Sequence, residues 1–178
     1  MARKEKTVIG RTATASFPSE GIYNIPVKID TGADRSSIWV SNLSVDDSDT
    51  LHFVLFDKMS PYYSGKLHST RHYTAQLIRS SNGTAQVRYR VSLTVELAGR
   101  LIRGSFTLAD RSRNTYPVLV GCALLKNKFL VDVALESPIQ PPIKYSHKGP
   151  AYDEELRRDP KAFFKKYHQH NRRGDVEL

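Results

Sequence analysis

Ile25-Pro26-Val27-Lys28-Ile29-Asp30-Thr31-Gly32-Ala33-Asp34-Arg35-Ser36-Ser37 decides the reading of this chain. A short apolar strand runs straight into an acid, a hydroxyl, a glycine and an alanine, then a second acid. An acid followed by Thr-Gly at a strand end sets a carboxylate on a tight turn. Glycine permits the backbone reversal that a side chain would hinder. The carboxylate of Asp30 is left pointing out of the turn. Taken alone, such a carboxylate is better read as a turn acid satisfying backbone N–H groups. The elements around it decide between that reading and chemistry.

Upstream, residues 7–17 read as one strand and Pro18-Ser19-Glu20-Gly21 as a turn. Ile22–Asp30 is the next strand, so a hairpin delivers Asp30. Downstream, residues 36–40 are extended, with Ile38 and Trp39 as core, and residues 44–50 hold three acids and read as a loop. Residues 51–56 form a short apolar strand, whereas residues 61–71 show no clear periodicity. Residues 73–79 and 86–97 flank Asn82-Gly83, the strongest short hairpin signal in the chain. Val91, Leu93, Val95 and Leu97 alternate onto one face. Residues 101–109 return, with Ile102, Phe106 and Leu108 inward.

After a basic loop with Arg111 and Arg113, Pro117-Val118-Leu119-Val120-Gly121 reads as a buried strand. One or two helical turns over residues 122–127 and a strand over 129–133 follow. The class is therefore mainly β. Residues 137–150 carry four of the nine prolines and read as an arm or linker. Beyond it, residues 152–158 are helix-like and Asp159-Pro160 is a helix start. Leu156, Phe163, Phe164 and Tyr167 make an apolar stripe expected to dock on the body or on a second subunit. Residues 171–178 read as frayed. The expected organisation is a β domain over residues 1–136, an arm over 137–150 and a helical extension over 151–178.

Bulk properties narrow the class. The 178 residues suit one domain with an appendage, and a 39% hydrophobic content is not that of a disordered chain. A formal net charge of +9 favours polyanionic partners, although a basic surface also serves solubility. The single cysteine, Cys122, excludes an intrachain disulfide and reads as a core residue rather than a nucleophile. The charged N-terminus is not a secretory signal, and no segment reads as a membrane span. A cytoplasmic protein without membrane attachment is expected.

In this order the elements resemble the retropepsin-like aspartic peptidases. That family pairs an Asp-Thr-Gly-Ala turn with a later apolar-apolar-Gly segment, and the hairpin between them is a flap over the substrate. A bacterial and archaeal branch is more similar still. It is commonly labelled an ATP-dependent zinc protease and linked to ribosomal-protein modification. The shared segments are Ile29-Asp30-Thr31-Gly32-Ala33, Arg79-Ser80-Ser81-Asn82-Gly83, Phe106-Thr107-Leu108-Ala109-Asp110-Arg111, Tyr116-Pro117-Val118-Leu119-Val120-Gly121 and Lys128-Phe129-Leu130-Val131-Asp132-Val133.

The resemblance implies a closed or partly open β-barrel, functional as a homodimer, that hydrolyses peptide bonds. For this branch it implies poly-α-glutamate chains as substrate. Asp30 would be catalytic, and Thr31, Gly32 and Ala33 would form the active-site turn. Only one Asp-Thr-Gly occurs, so the second carboxylate would be Asp30 of another subunit. Asp34, Arg35, Arg79, Ser80, Asn82, Gly83, Arg111 and Arg113 would contact substrate, the arginines by bidentate pairing with carboxylates. For Arg79, Arg111 and Arg113 the alternative is a solvated loop charge. Retroviral members usually carry an arginine after the second glycine, paired with the acid that follows the catalytic turn. Here that position is Cys122, so Asp34 needs another partner, such as Arg35 or a basic residue of the other subunit.

Neither zinc nor ATP is expected, because the chain has no His-Glu-x-x-His and no Gly-x-x-x-x-Gly-Lys-Ser/Thr loop. His68 with His72, and His168 with His170, read as surface histidines rather than parts of a metal set. The second hypothesis is a non-catalytic module whose basic face holds acidic polypeptide or RNA. Nucleic acid is the lesser alternative, since no Gly-x-x-Gly or aromatic ribonucleoprotein motif is present.

Overall fold

The computed structural model describes residues 5–79, 85–136 and 150–167. The chain divides into two compact units, Met1–Pro141 and Pro142–Leu178. The division falls inside the proline-rich stretch, most of which lies outside the described residues.

The first unit is built from β1 (Thr7–Gly10), β2 (Thr12–Phe17), β3 (Ile22–Asp30), β4 (Ser36–Val45), β5 (Leu51–Leu55), β6 (Leu67–Thr70), β7 (Thr74–Arg79), β8 (Ala85–Leu97), β9 (Arg100–Ala109), β10 (Val118–Gly121), the one-turn helix α1 (Cys122–Leu125) and β11 (Phe129–Asp132). Strands pair in the order β10-β3-β2-β8-β9-β4, and β4 pairs back with β10. The result is a closed six-stranded barrel, the mainly β class expected from the alternating pattern. Its interior is filled by inward-facing residues from every wall. Phe17, Ile25, Ile38, Leu97, Phe106 and Val118 are fully buried, and the Phe17 and Phe106 rings meet edge to face at 5.6 Å. Burying one such side chain is worth roughly 1.5–3 kcal/mol.

The expected single strand over residues 7–17 is broken in two. β1 leaves the barrel and pairs in parallel with β11, whereas β2 pairs with β3 and β8. At the break Gly10 runs against the Leu135 backbone, where a Cβ would sit 2.2 Å from the Leu135 carbonyl oxygen and only glycine fits. Arg11 N–H donates to that same oxygen at 2.9 Å. β4 is longer than expected, carrying on past a bulge at Asn42 to Val45. The acidic loop shrinks to a turn organised by Asp46, whose carboxylate accepts the N–H groups of Ser48 and Thr50, both at 2.9 Å. The His52 ring, then Thr50 and Ser48, hold this carboxyl well below the usual carboxylate range.

β6 falls in the stretch without apparent periodicity. Its residues alternate between exposed and half-buried, so it carries no apolar signature. His68 within it is not a surface residue. Its ring stacks on Phe53 at 5.0 Å, with Nε2 3.6 Å from Glu20, and burial pushes its pKa down. His72 is exposed, while His168 and His170 lie outside the described residues.

The Asn-Gly hairpin is present as β7 and β8, paired from Thr74↔Arg90 to Arg79↔Ala85. Its turn residues, Ser80, Asn82 and Gly83 among them, lie outside the described residues. β8 and β9 are joined by Ala98-Gly99, both at positive φ (48° and 72°), the geometry that suits a two-residue hairpin turn.

In the second unit, α2 (Pro150–Arg158) covers the helix-like stretch, beginning two residues before it, and α3 (Pro160–Tyr167) follows the expected Asp159-Pro160 start signal. The Asp159 carboxylate accepts the N–H groups of Lys161 at 3.1 Å and Ala162 at 3.0 Å, an N-cap ahead of Pro160. Lys166 and Glu155 join the two helices by an ion pair of 2.8 Å. Phe163 is buried and Leu156 exposed; the side chains of Phe164 and Tyr167, and residues 171–178, lie outside the described set. Among the described residues no helix is long and apolar enough to cross a membrane.

Candidate active site

β10 is the element that builds the site. It lies between the two strands flanking the Asp30 turn, parallel to β3 and antiparallel to β4. The register sets Gly121 against Asp30. A Cβ on Gly121 would lie 2.5 Å from the Arg35 carbonyl carbon and 2.7 Å from the Ala33 oxygen. The second apolar-Gly segment therefore ends in glycine because the turn's backbone occupies the space of a side chain.

The chain beyond Gly121 then ties the turn down. Cys122 N–H donates to the Ala33 carbonyl at 2.8 Å and Ala123 N–H to the Asp34 carbonyl at 2.9 Å. Gly121 N–H donates to Ser36 Oγ at 3.1 Å, and the Cys122 thiol to the Thr31 carbonyl at 3.0 Å. Four hydrogen bonds thus fix the backbone from Thr31 to Ser36. Cys122 is half-buried and braces the turn rather than filling the core, which corrects the reading of it as a core residue. Ser36, only 1% exposed, carries no signal in the sequence because a buried serine reads like any turn serine.

Within this frame Asp30 is half-buried, and its Oδ1 accepts the N–H groups of Gly32 at 2.9 Å and Ala33 at 3.1 Å. The turn-acid role and a chemical role are therefore not exclusive. Both bonds fall on Oδ1, which fixes the carboxylate plane and leaves Oδ2 for other partners. Thr31, Gly32, Asp34 and Arg35 are exposed, so the rim of the turn is presented to whatever approaches.

A cleft of about 940 Å³ opens beside the turn. Ala33, Arg35 and Ser37 line it from the barrel, with Thr107 and Arg111, and Gln76, Arg88 and Arg90 line it from the hairpin. Arg111 is no loose loop charge. Its Nε donates to the Tyr116 carbonyl at 3.1 Å and its Nη1 to Ser37 Oγ at 2.9 Å. Burial pushes its pKa down, while the nearby charge of Asp30 pulls it up. Arg113 is exposed and does not line the cleft, as a solvated loop charge would be. Arg79 sits at the end of β7, opposite Ala85.

Asp34 lies on the other side of the turn, near Lys6, Cys122 and Lys126, and makes none of the ion pairs found among the described residues. Arg88 and Arg90 were not singled out from the sequence. Their signal was the alternation Val87-Arg88-Tyr89-Arg90, basic on one strand face, beside the hairpin tip. Among the described residues no group of three or more His, Cys, Asp or Glu gathers to hold a metal.

A closed barrel with an Asp-Thr-Gly turn clamped by a second apolar-Gly strand, beside a cleft that a hairpin also lines, fits the retropepsin-like class. The chain belongs to the RimB-like family, the retropepsin-like aspartic endopeptidase RimB, whose family model matches residues 8–142. Among curated proteins it is 29% identical over 130 residues to a "probable alpha-L-glutamate ligase" of Shewanella pealeana, covering 71% of this chain and 28% of that one. A protein of the same description from Desulfotalea psychrophila is 26% identical over 154 residues, covering 84% of this chain and 33% of that one. The chain thus spans about a third or less of the length of these relatives. A Legionella pneumophila protein of unknown function shares the fold, with a TM-score of 0.54 and 21% identity over 75% of this chain and 98% of that one.

Proposed function

We propose that this chain works as a homodimeric aspartic peptidase on glutamate-rich chains, poly-α-glutamate foremost. The observation that carries the reading is a single Asp30 carboxylate, fixed by two N–H donors on a clamped turn whose rim is exposed. One carboxylate cannot act as base and acid at the same moment. Two carboxylates a few Å apart cannot both ionise cheaply, so a pair shares one proton and titrates as a unit. With one Asp-Thr-Gly per chain, the pair is completed by Asp30 of a second copy. The ionised member takes a proton from a water as that water attacks the scissile carbonyl carbon. The protonated member donates to the carbonyl oxygen. Collapse of the tetrahedral intermediate, with a proton passed to the leaving nitrogen, breaks the C–N bond.

The substrate class is supported by the cleft wall, where four arginines (Arg35, Arg88, Arg90, Arg111) stand against two acids, Asp57 and Asp110. It is supported too by relatives named as glutamate ligases, about a third of whose length or less is shared with this chain. A hydrolase of this class would cut bonds of the kind such ligases form. The basic cleft also suits a second reading, a module that holds acidic polypeptide or RNA without turnover, with strong salt dependence.

Incubation with poly-α-glutamate, beside an ordinary protein without glutamate runs, separates the two. The peptidase reading expects short glutamate oligomers from the first and little from the second, unaffected by a chelator. Poly-α-glutamate that is bound but stays intact would favour the binding module and overturn the peptidase.

A further inference from the structure

We propose that Arg88 and Arg90 form a two-rung ladder that reads the substrate by binding glutamate carboxylates at every second residue. This deepens the reading above and rests on it for the identity of the ligand. β8 pairs with β9 only from Arg90 onward, so its first five residues pair with β7 alone and overhang the barrel. Residues two apart on a strand share a face. Arg88 and Arg90 both line the cleft, with Gln76 and Thr74 as their cross-strand partners. Tyr89, on the opposite face, packs edge to face with Tyr73 at 5.7 Å and sits against the core, which fixes the face that carries the arginines. Arg90 donates its Nε to Thr74 Oγ1 at 3.1 Å, which orients the guanidinium and leaves its two Nη groups for a carboxylate.

Same-face side chains on an extended strand repeat at about 6.6–6.8 Å. An extended substrate beneath the hairpin has the same repeat. Its glutamates i and i+2 therefore meet Arg88 and Arg90 in step. The intervening glutamate points to the opposite wall, lined by Arg35 and Arg111. A guanidinium offers a planar fork that fits a carboxylate through two parallel bonds, which a lysine cannot do. The ladder thus selects a spacing of charges and not merely their sum.

Two glutamine nonapeptides, each with three glutamates and equal net charge, test this directly. One carries glutamate at the third, fifth and seventh positions, the other at the first, fifth and ninth, so that in each all three share one face and only the first has the two-residue spacing. Their affinities are measured for the full chain carrying Asp30→Asn, so that neither peptide is cut. The alternating peptide is expected to bind about tenfold more tightly, as one extra charge-assisted pair would give. Arg88→Gln or Arg90→Gln should erase the difference, whereas Arg113→Gln should keep it. Equal affinity for both peptides overturns the ladder and leaves the glutamate reading standing. A preference that survives Arg88→Gln and Arg90→Gln overturns the assignment of these residues. Binding of neither peptide, by a chain with unchanged circular dichroism, overturns the ladder and the glutamate reading together.

Discussion

Replacing Asp30 by asparagine is expected to leave the barrel folded and to lower glutamate-chain cleavage at least about a thousandfold, the scale of losing a positioned acid–base pair. The isosteric amide can still accept the Gly32 and Ala33 N–H groups through its oxygen, so the turn keeps its hydrogen bonds. What it cannot do is take a proton from water. Because a dimer of the variant would lose both members of the pair, no partial activity through one surviving carboxylate is expected. The check is cleavage rate alongside thermal unfolding, with the midpoint within a few degrees of the parent. A chain of unchanged stability that still cuts would remove Asp30 from the chemistry.

Gly121→Ala is expected to lower stability by about 1–3 kcal/mol, the usual range for forcing a methyl into filled space. The atoms in its way are the backbone of Arg35 and Ala33, which cannot move without carrying the turn with them. Activity should also fall, by about a hundredfold, because a misplacement of about 1 Å at the reacting group is enough for that. Gly21→Ala makes the contrast. Its φ is +69° but nothing lies within 4 Å of a Cβ there, so it should cost about 1 kcal/mol of backbone strain and leave the rate alone. Unfolding midpoints and cleavage rates of the two variants, measured side by side, would separate the effects. Equal rates in both would mean that the clamp of β10 on the turn is not what positions Asp30.

Much of the barrel was legible because its strands alternate against one interior. Ile22–Asp30, the two long strands of the β8–β9 hairpin and the Val118–Gly121 run each carry their class in their side chains. What escaped was set by tertiary contact. At the break, only glycine fits at Gly10 because of a carbonyl 125 residues away in sequence, that of Leu135. β6 is half-exposed and so has no apolar signature. At the site, the turn announced itself through Asp-Thr-Gly, but its braces did not. Ser36 and Cys122 act through single hydrogen bonds to the backbone, which no spacing in the sequence encodes. Arg111 and Arg113 look alike in the sequence. Only the tether to Ser37 and Tyr116 turns one toward the cleft.

The central claim is that each active site is made by two chains, one Asp30 from each. Mixing wild type with increasing Asp30→Asn chain, at constant total concentration and after exchange of subunits, tests it most directly. If both carboxylates are required, glutamate-chain cleavage falls as the square of the wild-type fraction. A fall in simple proportion to that fraction would show that each chain carries its own complete site, and would contradict the account.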